Sequence, residues 1–463
     1  MDQPGMDQPG MDQPEVDQPE RDRPERDRLN QMDATGAVAG MEKGDFSALE
    51  LMESCLARVE ARDDAVRAWA HLDPEQARDQ ARAADAARAN GRVGPLHGIP
   101  VGIKDIIDTH DMPTENGSAL FSGRRPNHDA ACVAALRAAG AVIMGKTVTT
   151  ELANTQPSKT RNPHNIEHTP GGSSSGSGAG VADGQVMLAL GTQTGGSVIR
   201  PASFNGVYAM KPTLGLLPRA GVLMQSHTLD TVGVYGRSLN DIALITDCLS
   251  QPDPQDAYSY VGARPNLCGA LGTKPAAAPR LAFVQTPAWD EAEPNARDAI
   301  ERLAASLPGC ERQALPPPFD AILSLHHEIF AGENAHYYGT HFDERPELFS
   351  DKLRGRMVDA MKSSARDYVN AVCQREVIYA SVLRLLERFD AILCLSSAGP
   401  APRGFETTGS PAFNSPWTYL GVPCISLPLL TVDDMPLGVQ LVGARGGEAS
   451  LMQVAKWLDT FER

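Results

Sequence analysis

The chain has 463 residues, 42% of them hydrophobic and 22% charged, a globular composition with material for a large core. Its 58 acidic against 42 basic residues give a formal charge of -16, which argues against a polyanion such as DNA or RNA as a general partner. No apolar run is long enough to span a bilayer and no secretory leader is visible, so neither a membrane nor an export route is expected. Eight cysteines without a CxxC pair read as reduced thiols of a cytoplasmic protein, and the eleven histidines show no metal-ligand spacing.

The chain opens on a decaying five-residue repeat: MDQPG, MDQPG, MDQPE, VDQPE, RDRPE, RDR. Proline every fifth residue blocks a helix and spoils a strand, and no apolar face exists. Residues 1–42 are therefore expected to be a disordered acidic tail, and 43–463 one domain. Ten acidic residues and four arginines in the first 40 give that stretch -6 of the total charge.

Ser47 and Glu50 have capping-box spacing before the helical stripe Leu49, Leu51, Met52, Cys55 and Leu56. An Ala/Arg-rich helix over 77–90 follows. From about 95 the texture changes to short buried runs between helices. Strand material is expected after PLHGIP, at 142–144, at 186–190 and up to Met210, with helices over 129–139 and 238–249. Residues 250–278 read as a linker or a long surface excursion. Beyond them come a strand at 281–285, a helix at 294–306, helices through 320–390, a strand at 390–397, a pair at 424–430 and 437–443, and a closing helix at 449–459. This alternation implies an α/β layer fold, a mixed and mostly parallel sheet covered by helices on both faces.

Residues 140–147, GAVIMGKT, satisfy the phosphate-loop pattern. Their four middle residues are those of a buried strand, and the threonines and valine after Lys146 are poor helix formers. Nucleotide binding is not expected there, and Lys146 reads as structural or as part of a cleft wall. The segment GGSSSGSGAG at 171–180 sits between organised apolar stretches and reads as a tight turn running into a helix near Ser174–Ser177. In GTQTGGSVIRPA at 191–202, Gly195 and Gly196 let backbone donors face a ligand, and Ser197 follows them as a candidate nucleophile. Its base is open on spacing alone: eleven histidines are available, and so is Lys104 in PVGIKD. Burial of that lysine lowers its pKa and yields a neutral amine.

These segments together resemble the amidase signature family of serine hydrolases. The resemblance rests on GIPVGIKD (98–105), TTELA (149–153), PGGSSSGSGAG (170–180), LGTQTGGSVIRPASFNGVYAMKPTLG (190–215), SHTLDTVGVYGRSLND (226–241) and GSPAFNSPWTYLGVPCISLPL (409–429), in order. It implies a Ser–cis-Ser–Lys triad falling on Ser197, Ser173 and Lys104, with a cis Gly172–Ser173 peptide. It implies an oxyanion hole of the N–H groups of Thr194, Gly195, Gly196 and Ser197, and turn or cap roles for Ser174, Ser175 and Ser177. No metal or organic cofactor is implied. Relatives lead to the expectation of a homodimer acting on a small-molecule amide, without nucleic acid or membrane.

Arg200 is a candidate for a substrate carboxylate or for a structural pair with Glu151 or Asp230. Phe413 and Trp417 are candidate substrate contacts, in an outer wall expected from 320–345 and 405–420; Phe330, Tyr337 and Tyr338 are the other aromatics there. The expected reaction is hydrolysis of an amide to carboxylate plus ammonia or amine, with carbamates and ureides open to the same triad. The alternative is the glutaminase subunit of a tRNA amidotransferase. That subunit more typically has an SIRQP-like run where this chain has SVIRP.

Overall fold

The computed structural model describes residues 26–259, 262–273 and 277–461; the repeat over 1–25 lies outside the described residues. Eleven strands form one sheet: β1 (Trp69–Leu72), β2 (Pro100–Lys104), β3 (Val142–Thr147), β4 (Leu188–Gln193), β5 (Tyr208–Lys211), β6 (Thr231–Gly236), β7 (Leu281–Val284), β8 (Cys310–Gln313), β9 (Ala391–Leu395), β10 (Cys424–Val432) and β11 (Met435–Val442). Their order is β1-β3-β2-β4-β6-β5-β10-β11-β9-β7-β8. The sheet is mixed, as expected, but parallel neighbours are the minority, with four pairs against six antiparallel. The parallel runs β3-β2-β4 and β9-β7-β8 flank an antiparallel centre that includes the β10–β11 hairpin. Asp433 and Asp434 both take positive φ at its tip, as a two-residue hairpin turn demands. Paired acids do not carry that signal as Asn-Gly would.

Every residue of β2, β3, β4, β6 and β9 is buried. Alternate residues of a strand point to opposite faces, so helices must cover both sides of the sheet here. Residues 140–147 show why the phosphate-loop pattern misleads. Val142–Thr147 is strand throughout, and the Lys146 amine donates to Ile107 O at 2.5 Å and Thr114 Oγ1 at 2.6 Å, 3.9 Å from Asp105. Burial brings that amine down to about 8.

Residues 26–42, expected to be disordered, are folded. Arg26–Gln31 is a 3-10 turn, and Ala34–Lys43 is a helix whose first turn is capped by Asp33 Oδ1 on Gly36 N at 2.7 Å. Leu29, Ala34, Ala37 and Met41 are buried, and the Arg237 guanidinium holds Asn30 O at 2.9 Å. A stripe composed mostly of alanine is too weakly apolar to stand out beside the repeat. The capping box forms as read: Glu50 N donates to Ser47 Oγ at 3.1 Å and Ser47 N to Glu50 Oε2 at 2.9 Å. The 250–278 connection is tied back onto the body by a buried bidentate pair, Arg219 to Asp256 at 2.6 and 2.7 Å.

The helix Ser175–Ala182 sits close against two strands. A Cβ on Gly176 would lie 2.1 Å from Ala68 O and 2.4 Å from Val148 N, both backbone atoms that cannot swing aside. We expect Gly176→Ala to cost at least about 1–3 kcal/mol, read as a lower thermal midpoint by circular dichroism. An unchanged midpoint would show that the helix can withdraw freely.

Candidate active site

The C-terminal end of β2 delivers Lys104 into the core, fully buried. Its Nζ lies 2.7 Å from Ser173 Oγ and 2.8 Å from Thr192 Oγ1 on β4. Burial holds the amine well below the usual lysine range, with Asp230 pulling weakly the other way. A neutral Nζ has a lone pair, so the Ser173 hydroxyl can donate to it across the same 2.7 Å.

Ser173 follows a cis peptide from Gly172, as the resemblance implied. Its carbonyl accepts from Thr150 N at 3.1 Å and Ser175 N at 2.9 Å. Of the cap or turn roles expected for the next serines, Ser174 stands at the N-cap position without a side-chain cap bond, and Ser175 ties the turn. Ser174 Oγ donates to Thr192 O, Ser175 Oγ to Gly171 O and Ser177 Oγ to Leu190 O, pinning the helix to β4 and to the turn.

β4 ends at Gln193, whose Oε1 accepts from Val198 N and Ile199 N at 2.9 and 3.0 Å. That side chain caps the helix Ile199–Asn205 and fixes the bend in which residues 194–197 lie. Three carbonyls of the bend are committed. Thr194 O accepts from His326 Nε2 at 2.8 Å, Gly195 O from Thr418 Oγ1 at 2.6 Å, and Gly196 O from Arg200 N at 3.0 Å. A planar trans peptide sets its N–H opposite its C=O, so the N–H groups of Gly195, Gly196 and Ser197 face away from those donors. Among the described residues no protein acceptor takes them. Behind the bend, Thr194 Oγ1 donates to Asp230 Oδ1 at 2.5 Å and lies 2.8 Å from Gln225 Oε1, and Asp230 Oδ2 accepts from Gln225 N and Ser226 N.

In front of the bend is a cavity of about 240 Å³, lined by Gly195, Gly196, Ser197, His326, Phe330 and Arg356 among others. Both segments expected to form the outer wall do so, and Phe330 lines the cavity as expected, but the other expected aromatics do not. Phe413 and Trp417 are fully buried and do not reach the cavity; Trp417 packs on Phe319 at 5.3 Å, and Pro411, Ala412 and Ser415 supply the lining instead. Tyr338 is buried with its hydroxyl on Met224 O, and Tyr337 faces another groove. Arg200 pairs with neither Glu151 nor Asp230. Its Nε donates to Thr408 O and its Nη2 to Gly172 O, both at 2.6 Å, so it braces the turn that carries Ser173. The sequence reading missed Thr192, His326 and Arg356. His326 and Phe330 sit four apart, one face of a helix, and that spacing was the available signal.

Comparison with known proteins assigns the family. The profile of the Amidase family matches residues 50–452. A glutamyl-tRNA(Gln) amidotransferase subunit from Chloroflexus aurantiacus is 32% identical, covering 94% of this chain and 97% of its own. The same-named protein of Roseiflexus castenholzii is 33% identical, over 94% and 96%. Among solved structures, a complex bearing on the origins of an s-triazine catabolic enzyme superposes with a TM-score of 0.87 at 29% identity, over 93% and 98%. The peptide amidase of Stenotrophomonas maltophilia does so with 0.78 at 28%, over 93% and 96%.

Two of these relatives are, by name, subunits of an enzyme named for a tRNA. That overturns the expectation of a chain whose partners are a small amide and a second copy of itself, with no nucleic acid. Net charge of a whole chain was the wrong measure, because one chain of a complex can serve a nucleic-acid enzyme without carrying the basic surface itself. Among the described residues no helix is long and apolar enough to cross a membrane. The chain belongs to the amidase family and is an amide-cleaving enzyme.

Proposed function

We propose that this chain hydrolyses an amide C–N bond through an acyl-serine formed on Ser197. The observation that carries the reading is the buried Lys104 amine, 2.7 Å from Ser173 Oγ, whose burial favours the uncharged form over the usual ammonium. Lys104 takes the proton of Ser173, Ser173 takes that of Ser197, and Ser197 Oγ attacks the acyl carbon. The N–H groups of the bend, from Thr194 to Ser197, receive the developing oxyanion. Ser173 returns the proton to the leaving nitrogen, and water repeats the sequence to free the acid.

Identity of 32–33% over nearly the whole of both chains supports a subunit role, in which the released ammonia is passed on by an amidotransferase that includes partner chains. A second reading, hydrolysis of another amide, carbamate or ureide for its own sake, is favoured because none of the described residues lining the cavity is an aspartate or glutamate that could meet the ammonium of glutamine. Eight free cysteines support a reducing compartment, the cytoplasm.

Hydroxylamine capture tests the chemistry. With an amide substrate and hydroxylamine, an acyl-serine is expected to divert to a hydroxamate, and intact mass should show the acyl adduct on the Ser197 peptide. Hydroxamate formation by Ser197→Ala at the native rate would sink the reading. Copurification from the native source separates the two forms: a stable heteromer supports the subunit role, and a lone chain speaks against it.

A further inference from the structure

Two peptides of the bend, Thr194–Gly195 and Gly195–Gly196, lie between regular elements: β4 ends at Gln193, and the helix Ile199–Asn205 begins beyond Ser197. Glycine stands on both sides of the second peptide, and a residue without a Cβ puts little steric brake on rotation of the peptide beside it. Such a rotation would turn the N–H out of the cavity and the carbonyl into it. The next peptide is different, because Gly196 O is already held by Arg200 N.

Two side chains from far along the chain hold the two loose peptides. His326, on the helix Ile322–Glu344, donates from Nε2 to Thr194 O at 2.8 Å. The ring is buried and lies within 13° of parallel to Phe330, so packing maintains the donor's aim. Thr418, on Ser415–Tyr419, donates from Oγ1 to Gly195 O at 2.6 Å. Its single proton has a competing carbonyl, Asn414 O, at the longer distance of 3.3 Å. Gln193 Nε2 donates to the same hydroxyl at 2.9 Å, while Gln193 Oε1 caps the helix after the bend. One amide thus ties the strand end, the helix start and Thr418 together.

We propose that His326 and Thr418 are positioning residues of the oxyanion hole, holding the carbonyls of Thr194 and Gly195 so that the N–H groups of Gly195 and Gly196 face the acyl oxygen. A planar trans peptide sets N–H opposite C=O, so a carbonyl fixed on one side fixes a donor on the other. Both residues act through the bend and move no proton. The hole is therefore completed by elements more than a hundred residues after the nucleophile. This rests on the acyl-serine reading.

Paired variants decide it. His326→Leu and Thr418→Val remove the donors; His326→Gln and Thr418→Ser each keep one. With the amide that the wild type converts fastest to hydroxamate, each of the first pair should lower kcat at least tenfold with KM within threefold, the mark of an interaction made in the transition state. Each of the second pair should return kcat to within threefold of wild type. An alkyl fluorophosphonate, whose phosphoryl oxygen would occupy the same hole as Ser197 Oγ displaces fluoride, should label the first pair at least tenfold more slowly than the second. At either position, kcat within threefold of wild type in the donor-removing variant, equal losses in both variants, or a loss carried by KM would overturn the assignment of that residue. Wild-type labelling elsewhere than on Ser197 would sink the acyl-serine reading and this inference with it, whereas labelling of Ser197 at equal rates in all five proteins would overturn this inference alone.

Discussion

Replacing Lys104 with alanine is expected to lower kcat/KM by about 10³-fold, the scale of a lost general base, with the fold intact. Two features separate this from a structural role. A lysine kept for packing would be kept charged and paired, yet Lys104 is fully buried, its two hydrogen-bond partners are hydroxyls, and burial outweighs the pull of Asp230. Lys104→Arg should be as inactive as the alanine variant, because a guanidinium stays protonated and cannot accept the serine proton.

The pH profile carries the same point. The free amine is the working form, so wild-type kcat/KM should rise with pH up to the depressed Lys104 pKa and level off above it. Stability follows with its own sign. Between the lowered folded pKa and the unfolded value near 10.5 the unfolded chain binds more protons, so stability rises with pH across that window. Lys104→Met should remove this alkaline gain while abolishing turnover. Activity within tenfold of wild type in the alanine variant would end the assignment.

Elements whose chemistry is local were legible in the sequence. The Ser47–Glu50 box, the buried runs of β2 and β4, and the glycine-rich bend before Ser197 each state their geometry through neighbours a few residues apart. The order of the sheet was not legible, because β5 joins β10 from more than two hundred residues away and no local pattern records it. The cavity wall failed for a related reason. Phe413 and Trp417 are large aromatics in a matching motif, but whether such a ring faces substrate or core depends on the helix around it, and here that helix, Ser415–Tyr419, turns Trp417 onto Phe319. Arg200 was read as carboxylate binder or ion-pair partner, whereas two of its nitrogens are spent on backbone carbonyls, which a sequence does not display.

His326 gives the other large expected effect. The ring is 8% exposed, and its Nε2 lies 2.8 Å from Thr194 O, which fixes the proton on Nε2 and leaves Nδ1 as the basic nitrogen. Burial brings its pKa down to about 4; the Thr194 carbonyl opposes this, and His327, Arg375 and Arg356 add to it. The unfolded chain titrates this group near 6.5, so between 6.5 and about 4 it binds more protons than the native state does. Stability is full above that window and falls as pH drops through it, by roughly 3 kcal/mol for this group. His326→Gln retains a donor for Thr194 O without a titrating ring. Its urea midpoint should therefore gain on wild type as pH is lowered from 7 to 4, after any fixed cost at pH 7 is subtracted. Parallel acid losses in the two proteins would mean that the imidazole charges without penalty and that its contact with the Thr194 carbonyl is not maintained in solution.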